Sequence, residues 1–99
     1  MKISVTDMEC TFGRQTRAYA EYRIFSSVAR FSHVVNEARI SLRSRRGGGA
    51  ARCVVSLTVD EGGRLRVSAG GRHVYDAINR AAARISEALR RHTDTTPSS

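Results

Sequence analysis

The sequence has little of the chemistry on which disulfide scaffolds and zinc sites depend. It contains no tryptophan, one proline and two cysteines in 99 residues. Cys10 and Cys53 are far apart in the chain and belong to no CxxC pair, which argues against a disulfide or a zinc site. We expect both thiols to be reduced, with Cys53 buried in a strand.

The sequence also lacks histidine and cysteine residues at the spacing of a catalytic site. The chain has three histidines, His33, His73 and His92, and neither they nor the cysteines show the spacing of a catalytic triad or a metal-ligand set. We therefore predict that the protein is not an enzyme, and that it uses no cofactor, no metal and no small-molecule substrate.

Long apolar runs are absent. No stretch approaches the roughly 20 apolar residues needed to span a bilayer, and the first residues, MKISVTDMEC, contain no apolar run typical of a signal peptide. We expect a cytoplasmic protein without a membrane partner. Ninety-nine residues with 40% hydrophobic content suffice for one domain with one core. We place the domain at 1–92 and predict a disordered tail at 93–99.

Positive charge is what the chain has in excess. Seventeen Lys and Arg against nine Asp and Glu give a formal net charge of +8 and a sequence pI near 11.0. All but one of the cations are arginine, whose planar guanidinium holds phosphate oxygens in a fork and stacks on bases. This balance predicts a polyanionic partner and favours nucleic acid.

Alternation of apolar and polar residues predicts four strands. It is visible in KISVT at 2–6, over 37–43, over 52–59 and over 64–69, as expected of strands with one polar face. The DEGG segment at 60–63 predicts a hairpin turn, and SRRGGGA at 44–50 predicts a flexible cationic connection.

Helical periodicity predicts two helices. In the first, Ala20, Ile24, Val28 and Phe31 share one stripe, and either Gly13 or Thr11 could cap its start. The second covers 73–92, with an apolar stripe formed by Val74, Ile78, Ala82, Ile85 and Leu89. The expected fold is α+β, a two-layer sandwich of order β-α-β-β-β-α with both helices on one face of a four-stranded sheet.

Arginines gather on the polar side of the second helix. At about 100° per residue, Arg80, Arg84 and Arg91 fall within about 40° of one another. Such a row is often only a solvated face, but the charge of the whole chain favours a phosphate-binding surface. On the first helix Arg23, Arg30 and Tyr19 lie toward one side, and Tyr19 could stack on a base. We assign Tyr22, Tyr75 and the phenylalanines to packing.

These features resemble the ribosome hibernation-promoting factors, also called protein Y or ribosome-associated inhibitor proteins. The likeness runs from about Met1 to His92 and includes the element order, the segment RAYAEYRIFSSVARFSHVV and above all VYDAINRAAARISEALRRH. Its most specific part is YDAI at 75–78, which opens the last helix. The aromatic pair Tyr19 and Phe31 matches as well.

The resemblance implies binding to the small ribosomal subunit and its rRNA, in the channel of mRNA and tRNAs, with inhibition of translation and ribosome hibernation. Carried over one by one, the rRNA-contacting positions are Arg23, Arg30, Arg80, Arg84, Arg90 and Arg91. Arg17 matches less closely, because it lies nearer the apolar stripe. The chain stops at Ser99, without the domain through which long members pair ribosomes, so the implied activity is that of a short form. We expect a monomer when the protein is free.

Arg72 and His73 stand where family members tend to have an acidic residue before the last helix. Capping would then fall to His73, to water or to Asp76. A second hypothesis is that Gly70, Gly71, Arg72 and the free helix start form a further phosphate site.

Two other functions fit the charge or the fold less well. A general module for structured RNA, similar in outline to a double-stranded RNA-binding domain, would use the same cations, but that fold begins with a helix. An interaction protein would pair through the open sheet face or through a strand edge, and pairing through the face would need an apolar surface. Arg39, Arg43, Arg64 and Arg66 lie on that face instead, and Glu37 could pair with one of them.

Overall fold

The computed structural model describes residues 1–7, 12–44 and 50–95. Its elements are β1 (Lys2–Asp7), α1 (Gly13–Val28), β2 (Val35–Ser44), β3 (Ala51–Val59), β4 (Arg64–Gly71) and α2 (Val74–Thr95). Short 3-10 turns, Ala29–Phe31 and Asp60–Gly62, follow α1 and β3. The predicted α+β class and the order β-α-β-β-β-α are confirmed.

The four strands form one sheet in chain order, β1-β2-β3-β4. β1 pairs with β2 in parallel, because α1 carries the chain back across the sheet between them, whereas the other two pairs are antiparallel. The predicted hairpin joins β3 to β4. Its turn contains Glu61 at φ 67° and Gly62 at φ 77°, a left-handed conformation that glycine adopts without steric cost.

The core lies between one face of the sheet and both helices. Alternate strand residues point into it, as the sequence predicts, among them Ile40 and Leu42 of β2 and Val55 and Leu57 of β3. From the helices it receives two buried stripes: Ala20, Ile24 and Val28 of α1, and Ala77, Ile78, Ala81, Ala82, Ile85 and Leu89 of α2. The two-layer sandwich is therefore confirmed, and neither of the described helices packs on the other sheet face.

The start of α1 differs from the prediction. The helix begins at Gly13 with Phe12 at the N-cap position and no side-chain cap, so Gly13 is not the cap, and Thr11 lies outside the described residues. Buried Asp7 at the end of β1 takes a related role, since its Oδ2 accepts a hydrogen bond from the backbone N–H of Phe12 at 2.8 Å. This bond fixes the chain where it enters α1.

The C-terminal ends of both helices also differ from the prediction. α1 stops at Val28, so Arg30 lies in the 3-10 turn after it rather than in the helix. α2 continues beyond His92 to Thr95, and the Thr93 hydroxyl donates to the Leu89 carbonyl at 3.1 Å. Residues 93–95 of the predicted tail are therefore helical. Residues 96–99, and 45–49 of the predicted flexible connection, lie outside the described residues.

Cys53 is fully buried in β3, as predicted, and is a free cysteine, whereas Cys10 lies outside the described residues. Burial raises the pKa of the Cys53 thiol from 9.0 to about 12, because an apolar environment disfavours the thiolate.

This thiol is expected to resist alkylation in the folded protein. The test uses a Cys10→Ser variant at about pH 8, where the thiolate fraction falls roughly tenfold for each unit by which the pKa rises. Iodoacetamide should therefore modify Cys53 about 10³-fold more slowly in the native protein than in the unfolded chain. Mass spectrometry of timed samples with and without denaturant measures the ratio. Equal rates in the two states would contradict a buried Cys53.

Candidate nucleic-acid interface

The exposed side of α2 holds four of the predicted site residues. Arg80, Arg84, Arg90 and Arg91 are all exposed. Arg80, Arg84 and Arg91 lie within about 40° of one another on the helix, and Arg90 lies about 100° from Arg91. We call these four residues the α2 arginine row. The helix presents them because its opposite side is fixed by the buried stripe through Ile78 and Ile85.

Two members of the row are held against the edge of the sheet. The Arg80 Nη1 donates to the Gly70 carbonyl at 3.0 Å, and the Arg84 Nη1 donates to the Ser68 carbonyl. β4 is an edge strand, so these bonds satisfy carbonyls at a sheet edge that no further strand covers. A guanidinium has five N–H donors, and one bond to the backbone leaves others for phosphate oxygens.

Glu87 lies among the arginines of the row. Its Oε1 is 3.3 Å from the Arg91 Nε, and its other carboxylate oxygen pairs with Arg90. All three side chains are substantially exposed, and exposed ion pairs contribute only about 0–1 kcal/mol. Glu87 therefore lowers the local positive charge but does not lock the two arginines away from a phosphate.

Tyr19 and Arg23 lie between the helices rather than on the open surface. The Tyr19 hydroxyl donates to the Asn79 Oδ1 at 2.7 Å, and the Arg23 Nε donates to the same oxygen at 3.1 Å. The Tyr19 ring also meets Tyr75 edge to face, with centroids 4.9 Å apart. Tyr19 is therefore held in the seam between α1 and α2, which leaves less of its ring for stacking on a base.

The other predicted arginines lie outside the row, and of these Arg72 lines one open cleft with Arg80. Arg17 on α1 and Arg30 in the turn after α1 are exposed, and Arg72 is exposed between β4 and α2. α2 thus faces α1 with Asn79 and faces β4 with Arg80. The predicted cations consequently fall on different sides of α2 and do not form one cluster.

Gly71 lies in close contact with the first turn of α2. A Cβ at this position would lie 2.7 Å from the Asp76 Cβ and 2.9 Å from the Ala77 nitrogen. The Ala77 N–H donates to the His73 carbonyl at 3.2 Å, which is the first backbone hydrogen bond of the helix. Asp76 is the acidic residue of the first turn, where its negative charge interacts favourably with the helix dipole. This geometry gives Gly71 a packing role, whereas the phosphate site formed by Gly70, Gly71, Arg72 and the helix start stays a prediction.

Two exposed aromatic residues were missed by the sequence interpretation. Tyr22 is 68% exposed and Phe25 48% exposed, so assigning them to packing was wrong, and Tyr75 is also 43% exposed although its ring contacts Tyr19. At 100° per residue Tyr22 and Phe25 lie about 140–200° from Ala20, so the periodicity that found the buried stripe also places them outward. Exposed aromatic rings are platforms on which unpaired bases stack.

Other kinds of site have less support. Among the described residues there is no group of three or more His, Cys, Asp or Glu side chains arranged to hold a metal ion. No helix in the described part of the chain is both long enough and apolar enough to cross a membrane.

Comparison with known protein families identifies the family of the chain. The model of the sigma 54 modulation protein/S30EA ribosomal protein family matches residues 3–96. The chain belongs to this family. The match includes every strand and both helices, so the resemblance to hibernation-promoting factors is confirmed, and membership makes the chain part of a ribosome-associated family.

Two solved structures of other proteins show the same fold. A ribosomal subunit interface protein from Coxiella burnetii superimposes with a TM-score of 0.80 at 11% identity, with 96% of this chain and 100% of that one covered. The N-terminal domain of Thermus thermophilus Protein Y gives 0.67 at 23% identity, over 92% and 94% of the two chains. Comparison with curated protein sequences gives no significant match. This chain thus shares its fold with these two proteins at low sequence identity.

Proposed function

We propose that the protein binds the small ribosomal subunit in the channel of mRNA and tRNAs, contacts its rRNA through the basic helical surface, inhibits translation and promotes ribosome hibernation. The observation that carries the proposal is the α2 arginine row on a fold matched by the family model over residues 3–96. The names of the two similar structures, a ribosomal subunit interface protein and Protein Y, support it. The protein would act in the cytoplasm, where ribosomes are.

The mechanism is competition for space and for phosphates. Arginines that neutralise rRNA phosphates supply affinity without reading base sequence, and folded RNA presents phosphate arrays of fixed shape. A domain seated in the channel occupies the volume that mRNA and tRNA need. Tyr22 and Phe25, exposed on α1, add stacking on unpaired bases, which contributes about 1–3 kcal/mol per base.

Co-sedimentation with purified small subunits tests this proposal. We expect wild type to travel with the subunit at about one copy each at near-physiological salt, and the variant Arg80→Ala, Arg84→Ala, Arg91→Ala to stay at the top of the gradient, because three phosphate contacts are lost. Circular dichroism of the variant checks that it is folded.

Glu87→Gln is the matched control, because it removes a negative charge from the helix surface from which the arginine variant removes positive charges. It removes the ion pairs that Glu87 makes with Arg90 and Arg91 and should retain or tighten binding. Excess free RNA duplex in the same gradients distinguishes the general RNA-binding alternative. Free duplex that displaces the protein from the subunits as effectively as an equal excess of competing subunits would identify a module for structured RNA without ribosome specificity.

A further inference from the structure

The outer face of the sheet, on which no helix of the described residues packs, is strongly basic. Residues that alternate with the core positions form it, and its charged members are Lys2, Arg39, Arg43, Arg52, Arg64 and Arg66 against the single acid Glu37. All six cations are exposed. Apart from Val54 and Gly70, the other strand positions of this face carry hydroxyls: Ser4, Thr6, Ser41, Ser56, Thr58 and Ser68.

Like charges face each other on this surface. Arg43 and Arg52 are direct partners in the β2–β3 register, an arrangement that destabilises a sheet. The acid of the face does not relieve this pair, because Glu37 is bound to Arg39, with 3.2 Å between its Oε1 and the Arg39 Nε. An anion placed between Arg43 and Arg52 would remove the repulsion.

One end of the face continues into the α2 arginine row. Arg43, Arg52, Arg72 and Arg80 line a single open cleft there, and no acidic residue is among the described residues that line it. Ser68 connects the two surfaces: its hydroxyl accepts from the Arg52 Nη1 at 2.6 Å, and its carbonyl accepts from Arg84. Positive charge therefore runs unbroken from the sheet face around the β4 edge onto α2.

We infer that the outer sheet face is a second RNA-binding surface, which takes the phosphates of an RNA backbone on the side of the molecule opposite the helices. Arginine and hydroxyl donors are the groups that contact phosphates. The strand residues of this face include no aromatic side chain, so the surface follows the backbone and stacks no bases. The inference rests on the proposed function and extends it: the protein would bridge two RNA segments, one on each side of the sandwich.

Binding of the free protein to a short RNA duplex tests the inference without ribosomes. The sheet variant is Arg43→Thr, Arg52→Thr, Arg66→Thr, and the helix variant is Arg80→Ala, Arg84→Ala, Arg91→Ala. We expect wild type to bind two duplexes and each variant to bind one. In a plot of log affinity against log salt concentration, the magnitude of the slope should also be smaller by about 2 to 3 for the sheet variant, because each lost phosphate contact accounts for roughly 0.7–0.9.

The inference would be overturned if the sheet variant bound as many duplexes as wild type and showed the same salt slope. It would also be overturned if the sheet face bound tripolyphosphate but no duplex. Thermal unfolding verifies the fold of the sheet variant, and Arg39→Thr, Arg64→Thr, outside the cleft, serves if the first variant does not fold. Failure of the helix variant to affect ribosome co-sedimentation is a separate outcome that contradicts only the proposed function.

Discussion

Raising the salt concentration from about 50 to about 200 mM is expected to weaken binding to the small subunit by about 10³-fold or more. The physical reason is counterion release, since a protein that neutralises about six phosphates gives a salt slope near −5 for duplex-like targets. The chain offers this number of contacts in the α2 arginine row together with the exposed Arg17 and Arg30. Fluorescence titration of labelled protein with small subunits over this salt range measures the slope.

The control for this prediction is the helix variant Arg80→Ala, Arg84→Ala, Arg91→Ala, whose slope should be smaller by about 2 to 3. Titrations with a neutral osmolyte in place of salt separate ionic from osmotic effects. An affinity that changes less than tenfold over the salt range would mean that apolar contacts carry the binding, and the arginine row would lose its assigned role.

Replacing Ile85 with alanine is expected to lower the free energy of unfolding by about 2–5 kcal/mol. Ile85 is fully buried in the middle of the α2 stripe, where the helix packs on the sheet, and truncation leaves a cavity that the close-packed core cannot fill. Urea unfolding measures the change as a lower midpoint with an unchanged m value.

The matched control is Ala83→Ser, an exposed position one half-turn away, which should change the unfolding free energy by at most about 0.5 kcal/mol. Equal effects of the two substitutions would place the buried side of α2 elsewhere. Because Ile85→Ala leaves every arginine in place, the folded variant should still bind the subunit at low temperature.

Local patterns made most of the fold predictable. Alternation identified β2 and β3 because each has one buried and one exposed face, and the stripe of α2 was visible because Ile78, Ile85 and Leu89 repeat at helical spacing. Boundaries were less predictable, since the end of α2 at Thr95 and the cap of α1 depend on single hydrogen bonds, such as that from Phe12 to Asp7.

The site was predictable only in part. The periodicity of α2 gave the arginine row, but the bonds from Arg80 and Arg84 to β4 depend on β4 being an edge strand, which is a property of the whole sheet. The place of Tyr19 in the seam depends on Asn79, 60 residues later in the chain. Such long-range partners leave no signal in a single sequence.

The central claim, occupancy of the channel, is tested most directly by competition with mRNA and tRNA. Labelled protein would be titrated against small subunits that are either empty or preloaded with mRNA and a P-site tRNA. Our account predicts tight binding to empty subunits and exclusion from loaded ones, with release of the labelled protein when mRNA and tRNA are added in excess. Equal affinity for empty and loaded subunits would contradict it and would place the protein elsewhere on the ribosome.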